Sequence, residues 1–194
     1  MEALFFSPFI ILTIACVLGF FAAWGIGAND VANAMGTSVG SKALTLKQAV
    51  IIAAIFEFLG AFLAGGEVTS TIRKGIVDPL LYQDDVNIFI VGMMATLLAT
   101  GSWLMLASRN GWPVSTTHSI VGAIVGFVLI TKGSGAVSWD KIFEIASSWI
   151  TSPLISALFA FLIFKSVKIL IIDSNNRSKA AVNLIPIYVI LVVF

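Results

Sequence analysis

Long apolar runs that leave almost no room for charge constrain this chain more than any other feature. They cover residues 9–26, 47–65, 88–107 and 149–172, with shorter apolar pieces at 114–131 and from 183 onward. About 20 helical residues cross a bilayer's hydrocarbon core, and the four long runs are each of that order. In lipid, every backbone polar group must be bonded internally, so only helices and closed barrels span it. The runs are continuous rather than short and alternating, which selects helices over a barrel. Composition agrees: 59% of residues are hydrophobic and 11% charged, with a mean hydropathy of +1.04. A soluble domain of this length carries about twice that charge. The expected fold is an all-α integral membrane protein, a polytopic helical bundle forming one transmembrane domain over residues 1–194.

Several function classes fall away at once. The formal net charge of +1 gives no reason to expect a nucleic-acid partner. The lone cysteine, Cys16, lies inside the first run and can make neither an internal disulfide nor a thiolate metal cluster. The N-terminal MEALFFSPFI lacks a positive n-region and no small-residue cleavage site follows, so the first run is expected as a span rather than a signal peptide. Positive residues in the connections set the expected orientation. With the N-terminus outside, Lys42, Lys47, Arg109, Lys165, Lys168, Arg177 and Lys179 fall inside, and Arg73, Lys74, Lys132 and Lys141 outside, seven against four.

The end of the first run changes character. Residues Gly25 to Thr45, GIGANDVANAMGTSVGSKALT, are too polar for lipid-facing helix and too apolar for a soluble loop. Asp30 lies there, with Asn29 and Asn33 beside it. An acid at membrane depth is costly unless paired and marks a functional site by default. The plainer alternative makes this stretch a surface loop with Asp30 capping the next helix. Gly25 and Gly27 suggest that the first helix breaks, its freed backbone facing protein or a water-filled cavity. Thr45 is the expected N-cap of the second helix.

Inside the second run lies another acid, Glu57, in AAIFEFLGAFLAG. It either takes part in cation or proton coupling or serves as a hydrogen-bonded acid at a helix crossing. Residues 67–87 form an expected surface connection with a short amphipathic helix from Val68 to Val77.

After the third run comes Ser108-Arg109-Asn110-Gly111-Trp112-Pro113, then Val114-Ser115-Thr116-Thr117-His118-Ser119. The apolar piece behind it is too short to cross, so a re-entrant hairpin or a broken helix is expected, with the hydroxyl cluster at its break. Pro113 suits a helix's first turn. Ser115, Thr116 and Thr117 would then offer hydroxyls and free N–H groups to an anion, or simply cap the helix. His118, the single histidine, has no ligand partners at metal-site spacing and fits a structural role or membership of the polar site. Residues 132–149 read as a connection, with Ser152-Pro153 marking entry to the next span. No base or second metal ligand accompanies Ser115, so no catalytic residue is expected and the chain is not expected to be an enzyme.

Broken helices that present N-termini, carboxylates and amide oxygens are features of secondary transporters. N-termini favour an anionic substrate, and carboxylates and amide oxygens a cation such as sodium. The motifs GANDVANAMGTSVGSKALT, the Glu57 helix, TIRKGIVDP and PVSTTHSIVGAIVG, in this order, resemble the inorganic phosphate transporter (PiT) family of symporters. The resemblance runs from Gly25 to Val128 and is specific; later spans match only in character. It implies cation-driven symport of inorganic phosphate, with sodium or a proton as coupling ion and no cofactor. It further implies cation-binding or coupling roles for Asn29, Asp30 and Glu57, with sodium at Asp30 and Asn33, and phosphate contacts from Ser115, Thr116, Thr117 and Asn33.

Full members of the family are similar to two inverted repeats, each with its own copy of both motifs. One copy of each stands here, so the chain resembles the amino-terminal half. Its expected partners are inorganic phosphate, the lipid of a plasma (inner) membrane, and a second half or another copy of itself. Two alternatives stay open: a symporter for another oxyanion such as sulfate, and a non-transporting assembly module lacking its second repeat.

Overall fold

The computed structural model describes residues 5–193; the side chains of residues 67–75, 192 and 193 lie outside that description. The described residues form six α-helices: α1 (Pro8–Gly40), α2 (Leu46–Gly75), α3 (Val86–Arg109), α4 (Thr116–Thr131), α5 (Trp139–Val167) and α6 (Arg177–Val193). Short 3-10 turns precede α3 and α5, and a π turn at Lys168–Ile172 ends α5. The all-helical membrane class is borne out, with four helical stretches long and apolar enough to cross: Pro8–Gly40, Leu46–Gly66, Val86–Arg109 and Trp139–Ile172.

Several sequence expectations need correction. The first helix does not break. α1 runs unbroken for 33 residues, because Gly25 is used for close packing and the polar side chains after it find partners sideways. The segment Val68 to Val77 is no separate helix up to Gly75; its backbone continues α2, and the side chains that would test its amphipathic character, Arg73 and Lys74 included, lie outside the described residues. The N-terminal reading falls in part on residues 1–4, which also lie outside them. The connection at residues 132–149 is shorter than expected, since α5 begins at Trp139, and Pro153 sits inside that helix. A membrane helix accommodates such a proline because nearby hydroxyls and neighbours re-satisfy freed backbone groups. Ser147, Ser148 and Thr151 bond back to the carbonyls of Phe143, Ile145 and Ser147, in the turns before the Trp149 carbonyl that faces the proline.

The chain divides into two compact units, Met1–Lys141 and Ile142–Phe194. In the first, α1 packs lengthwise on α3. The N–H of Phe5 donates to Asn87 at the start of α3, and Asn29 reaches Ser108 near its end, so the two helices run parallel. Ala22, Gly25 and Asn29 form the buried face of α1, against Gly101, Leu104 and Ala107 of α3. A Cβ built on Gly25 would lie 3.1 Å from Leu104 Cβ, and one on Gly101 would lie 3.2 Å from Ala22 Cα. Small residues thus set how close the backbones come, as in membrane bundles generally.

α4 folds back along α3, so that Phe127 near its end lies over Gly92 near the start of α3. Val121, Ile124 and Val128, at helical spacing, are its buried face. At that end Tyr82 is 1% exposed, its ring packed against Phe89 and Phe127 and its hydroxyl 2.6 Å from Thr131 Oγ1. Lys132 pairs with Asp85 beside it. In the second unit no residue of α5 or of the π turn is buried, and Tyr188 of α6 donates to Ser166 of α5 at 2.7 Å.

Candidate functional site

The site is built where the α3–α4 turn meets the side of α1. The turn is closed by backbone alone at its first part. Gly111 adopts φ +67°, a left-handed conformation that suits glycine. The N–H of Trp112 donates to the carbonyl of Ala107 at 2.9 Å, and that of Gly111 to Ser108 at 3.2 Å, which completes a Schellman cap. At the last part Ser115 N-caps α4, its Oγ accepting from the N–H of His118 at 3.3 Å.

Asn29 of α1, 4% exposed, serves the residues in between. Its amide group donates to the carbonyl of Trp112 at 3.0 Å and to Ser108 Oγ at 3.3 Å. Its oxygen accepts from the N–H of Val114 at 3.2 Å and from Asn33 Nδ2 at 3.2 Å. One turn of chain away, Thr116 Oγ1 donates to Asp30 Oδ2 at 3.1 Å. Asp30 is half-buried and level with the C-terminal end of α3.

The two polar motifs are therefore brought together. On α1, Asn29 meets Val114 and Asp30 meets Thr116, and Asn33 is joined to them through Asn29; Ser115 lies between the two contacts and bonds only within α4, with Thr117 and His118 in the next positions and exposed. Glu57 is not brought to them: it is exposed on α2 and hydrogen-bonds to none of these residues. Among the described residues, no group of three or more His, Cys, Asp or Glu side chains gathers to hold a metal ion. The arrangement sets one carboxylate and an amide beside the first turn of a helix whose leading N–H groups favour an anion. Sequence reasoning missed Ser108, the Trp112 carbonyl and the Val114 N–H. The Gly-Trp-Pro run marks a tight turn, but nothing in it points to Asn29.

Fold and site together define an integral membrane protein that places a paired acid beside a helix N-terminus. Comparison with known proteins narrows this. The profile of the Phosphate transporter family matches residues 26–194, and the chain belongs to that family. It is 51% identical over 181 residues to a Haemophilus influenzae protein named "Putative phosphate permease", covering 93% of this chain and 43% of that one. It is 50% identical over 173 residues to the Arabidopsis thaliana protein named "Inorganic phosphate transporter 2-1, chloroplastic", covering 89% of this chain and 30% of that one. A solved structure described as "The sodium-dependent phosphate transporter" superposes with a TM-score of 0.83 at 42% identity, covering 89% of this chain and 42% of that one. The chain thus spans less than half the length of these relatives.

Proposed function

We propose that this chain forms one half of a secondary transporter that carries inorganic phosphate across a membrane together with a cation. The observation that carries the reading is the hydrogen bond from Thr116 to Asp30, which joins the acid-bearing motif of α1 to the hydroxyl-bearing start of α4. Phosphate would bind at Ser115, Thr116 and Thr117, with Asn33 reaching from α1. The cation would bind at Asp30 and Asn33. Sodium is favoured over a proton because the solved structure that the chain resembles is described as sodium-dependent.

α4 has 16 residues, about 24 Å at 1.5 Å per residue, short of the roughly 30 Å hydrocarbon core. We therefore read α3 and α4 as a hairpin whose second arm does not cross. Glu57, exposed on α2, would complete the coupling site against the polypeptide that makes up the rest of the relatives' length, a second inverted repeat or a second copy of this chain. The plasma (inner) membrane is the proposed location.

Proteoliposome uptake of labelled phosphate tests the reading, with sodium and pH gradients imposed separately on this chain and on a version extended to its relatives' length. Sodium-driven phosphate uptake by the extended version is the expected result. Uptake indifferent to both gradients, or inhibited as strongly by sulfate as by unlabelled phosphate, would overturn it.

A further inference from the structure

We infer that Asn29 is a positioning residue rather than a ligand: its carboxamide holds the α3–α4 turn so that the start of α4 faces Asp30. The site assignment rests on the phosphate reading above; the hold on the turn does not. An asparagine side chain offers two donors and two acceptor lone pairs. All four are taken, by Trp112 O, Ser108 Oγ, Val114 N and Asn33 Nδ2. The orientation of the amide is fixed by its neighbours, since the Trp112 carbonyl can only accept and the Val114 N–H can only donate. No lone pair remains for a cation or a substrate unless one of these bonds breaks.

What Asn29 bonds to explains why it is needed. The Schellman cap satisfies the chain through the N–H of Trp112, and the Ser115 cap takes over at α4. Between them Pro113 has no N–H, and the carbonyl of Trp112 and the N–H of Val114 lie outside both helices. The carboxamide bonds both at once, as a neighbouring peptide would, from a side chain that is 4% exposed. Its Asn33 contact also holds the side chain assigned to cation and phosphate. Asn29 thus fixes where Thr116 sits without touching what Thr116 would bind.

Two variants separate holding from ligation. Asn29→Asp keeps the acceptor oxygen and adds a second, with charge that would suit a cation ligand, but loses both donors and sets a carboxylate against the Trp112 carbonyl. Asn29→Ala removes everything. Hydrogen exchange measured by mass spectrometry on the peptide covering residues 110–116, in the intact chain in lipid nanodiscs, reads the turn directly. The expected result is faster exchange of this peptide in Asn29→Ala and a smaller effect in Asn29→Asp, whose carboxylate can still accept from the Val114 N–H. In phosphate uptake by the extended version, both should raise the phosphate KM, Asn29→Ala by about tenfold. Unchanged exchange of the turn in Asn29→Ala overturns the hold on the turn, whatever transport does. Normal phosphate KM with a shifted sodium requirement overturns the positioning role and makes Asn29 a cation ligand. If the unsubstituted protein moves no phosphate, the reading of the site fails, while the exchange result still decides the hold on the turn.

Discussion

The hydrogen bond between Thr116 and Asp30 makes a measurable claim, because it links the two polar motifs side chain to side chain. Removing it from either side should cost stability, and removing it from both should cost little more. A bond to an ionised group contributes about 1.5–3 kcal/mol at good geometry. At 3.1 Å this one is longer than the 2.5–2.7 Å of a strong O–H···O⁻ contact, and both residues are half-buried, so about 1 kcal/mol is the reasonable expectation. The pair to make is Thr116→Val, nearly isosteric, and Asp30→Ala, alone and together. Asp30→Asn would not serve, since a carboxamide oxygen still accepts from threonine. Denaturant unfolding of the chain in mixed micelles, followed through its tryptophans, gives the four free energies, and the cycle isolates the pair. A coupling of about 1 kcal/mol is expected. Strict additivity, to within the roughly 0.3 kcal/mol seen for independent sites, would refute the claim that α1 and α4 are joined through this bond.

Other consequences can be checked with the same preparations. Asp30→Asn should insert and fold normally yet abolish cation-coupled phosphate uptake by the extended protein; normal uptake with an unchanged sodium dependence would count against Asp30 as the coupling acid. Gly101→Leu should destabilise by at least about 2 kcal/mol, because even a Cβ there meets the Phe21 ring at 2.6 Å and Ala22 Cα at 3.2 Å, whereas Gly122→Ala, with open space around it, should be neutral or stabilising by up to about 1 kcal/mol. Denaturation midpoints decide between them. Tyr82→Phe should cost about 1 kcal/mol through its lost bond to Thr131, and Tyr82→Ala about 3–5 kcal/mol through the emptied ring site between Phe89 and Phe127.

The apolar runs located the helices because lipid leaves the backbone no other solution, and Thr45 was readable as a cap from residue type alone, whereas Pro113, expected in a helix's first turn, lies before α4, which Ser115 caps. What misled was glycine. Gly25 and Gly27 suggested a break, yet a glycine in a helix has two uses, to release the backbone or to admit a neighbour, and local sequence does not say which. Gly101, 76 positions away in sequence, decides it by packing against Gly25 and Ala22. The site followed the same rule. That Asp30 needed a partner was legible from the cost of an unpaired acid, and Thr116 was already suspected on its own account. The role of Asn29 was not, because its partners are a carbonyl and an N–H that any residue type supplies.

The bond from Thr116 also bears on why a cation should be required at all. It ties Asp30 to the first residue of α4, so an anion received by the leading N–H groups of that helix would lie within a few ångströms of a carboxylate. Two like unit charges about 5 Å apart, at an effective dielectric constant near 20, repel by about 3 kcal/mol. That is more than a hundredfold in affinity, and it exceeds the roughly 0.3–1 kcal/mol that a helix N-terminus usually contributes at an exposed site. In the described residues no lysine or arginine bonds to Asp30 to cancel the charge. On the proposed reading, a cation at Asp30 and Asn33 removes the repulsion and adds attraction of its own, so each ligand raises the other's affinity by the same factor. Mutual dependence of the two ligands then follows from the placement of Asp30 beside the start of α4, and Glu57 would add to the coupling from α2.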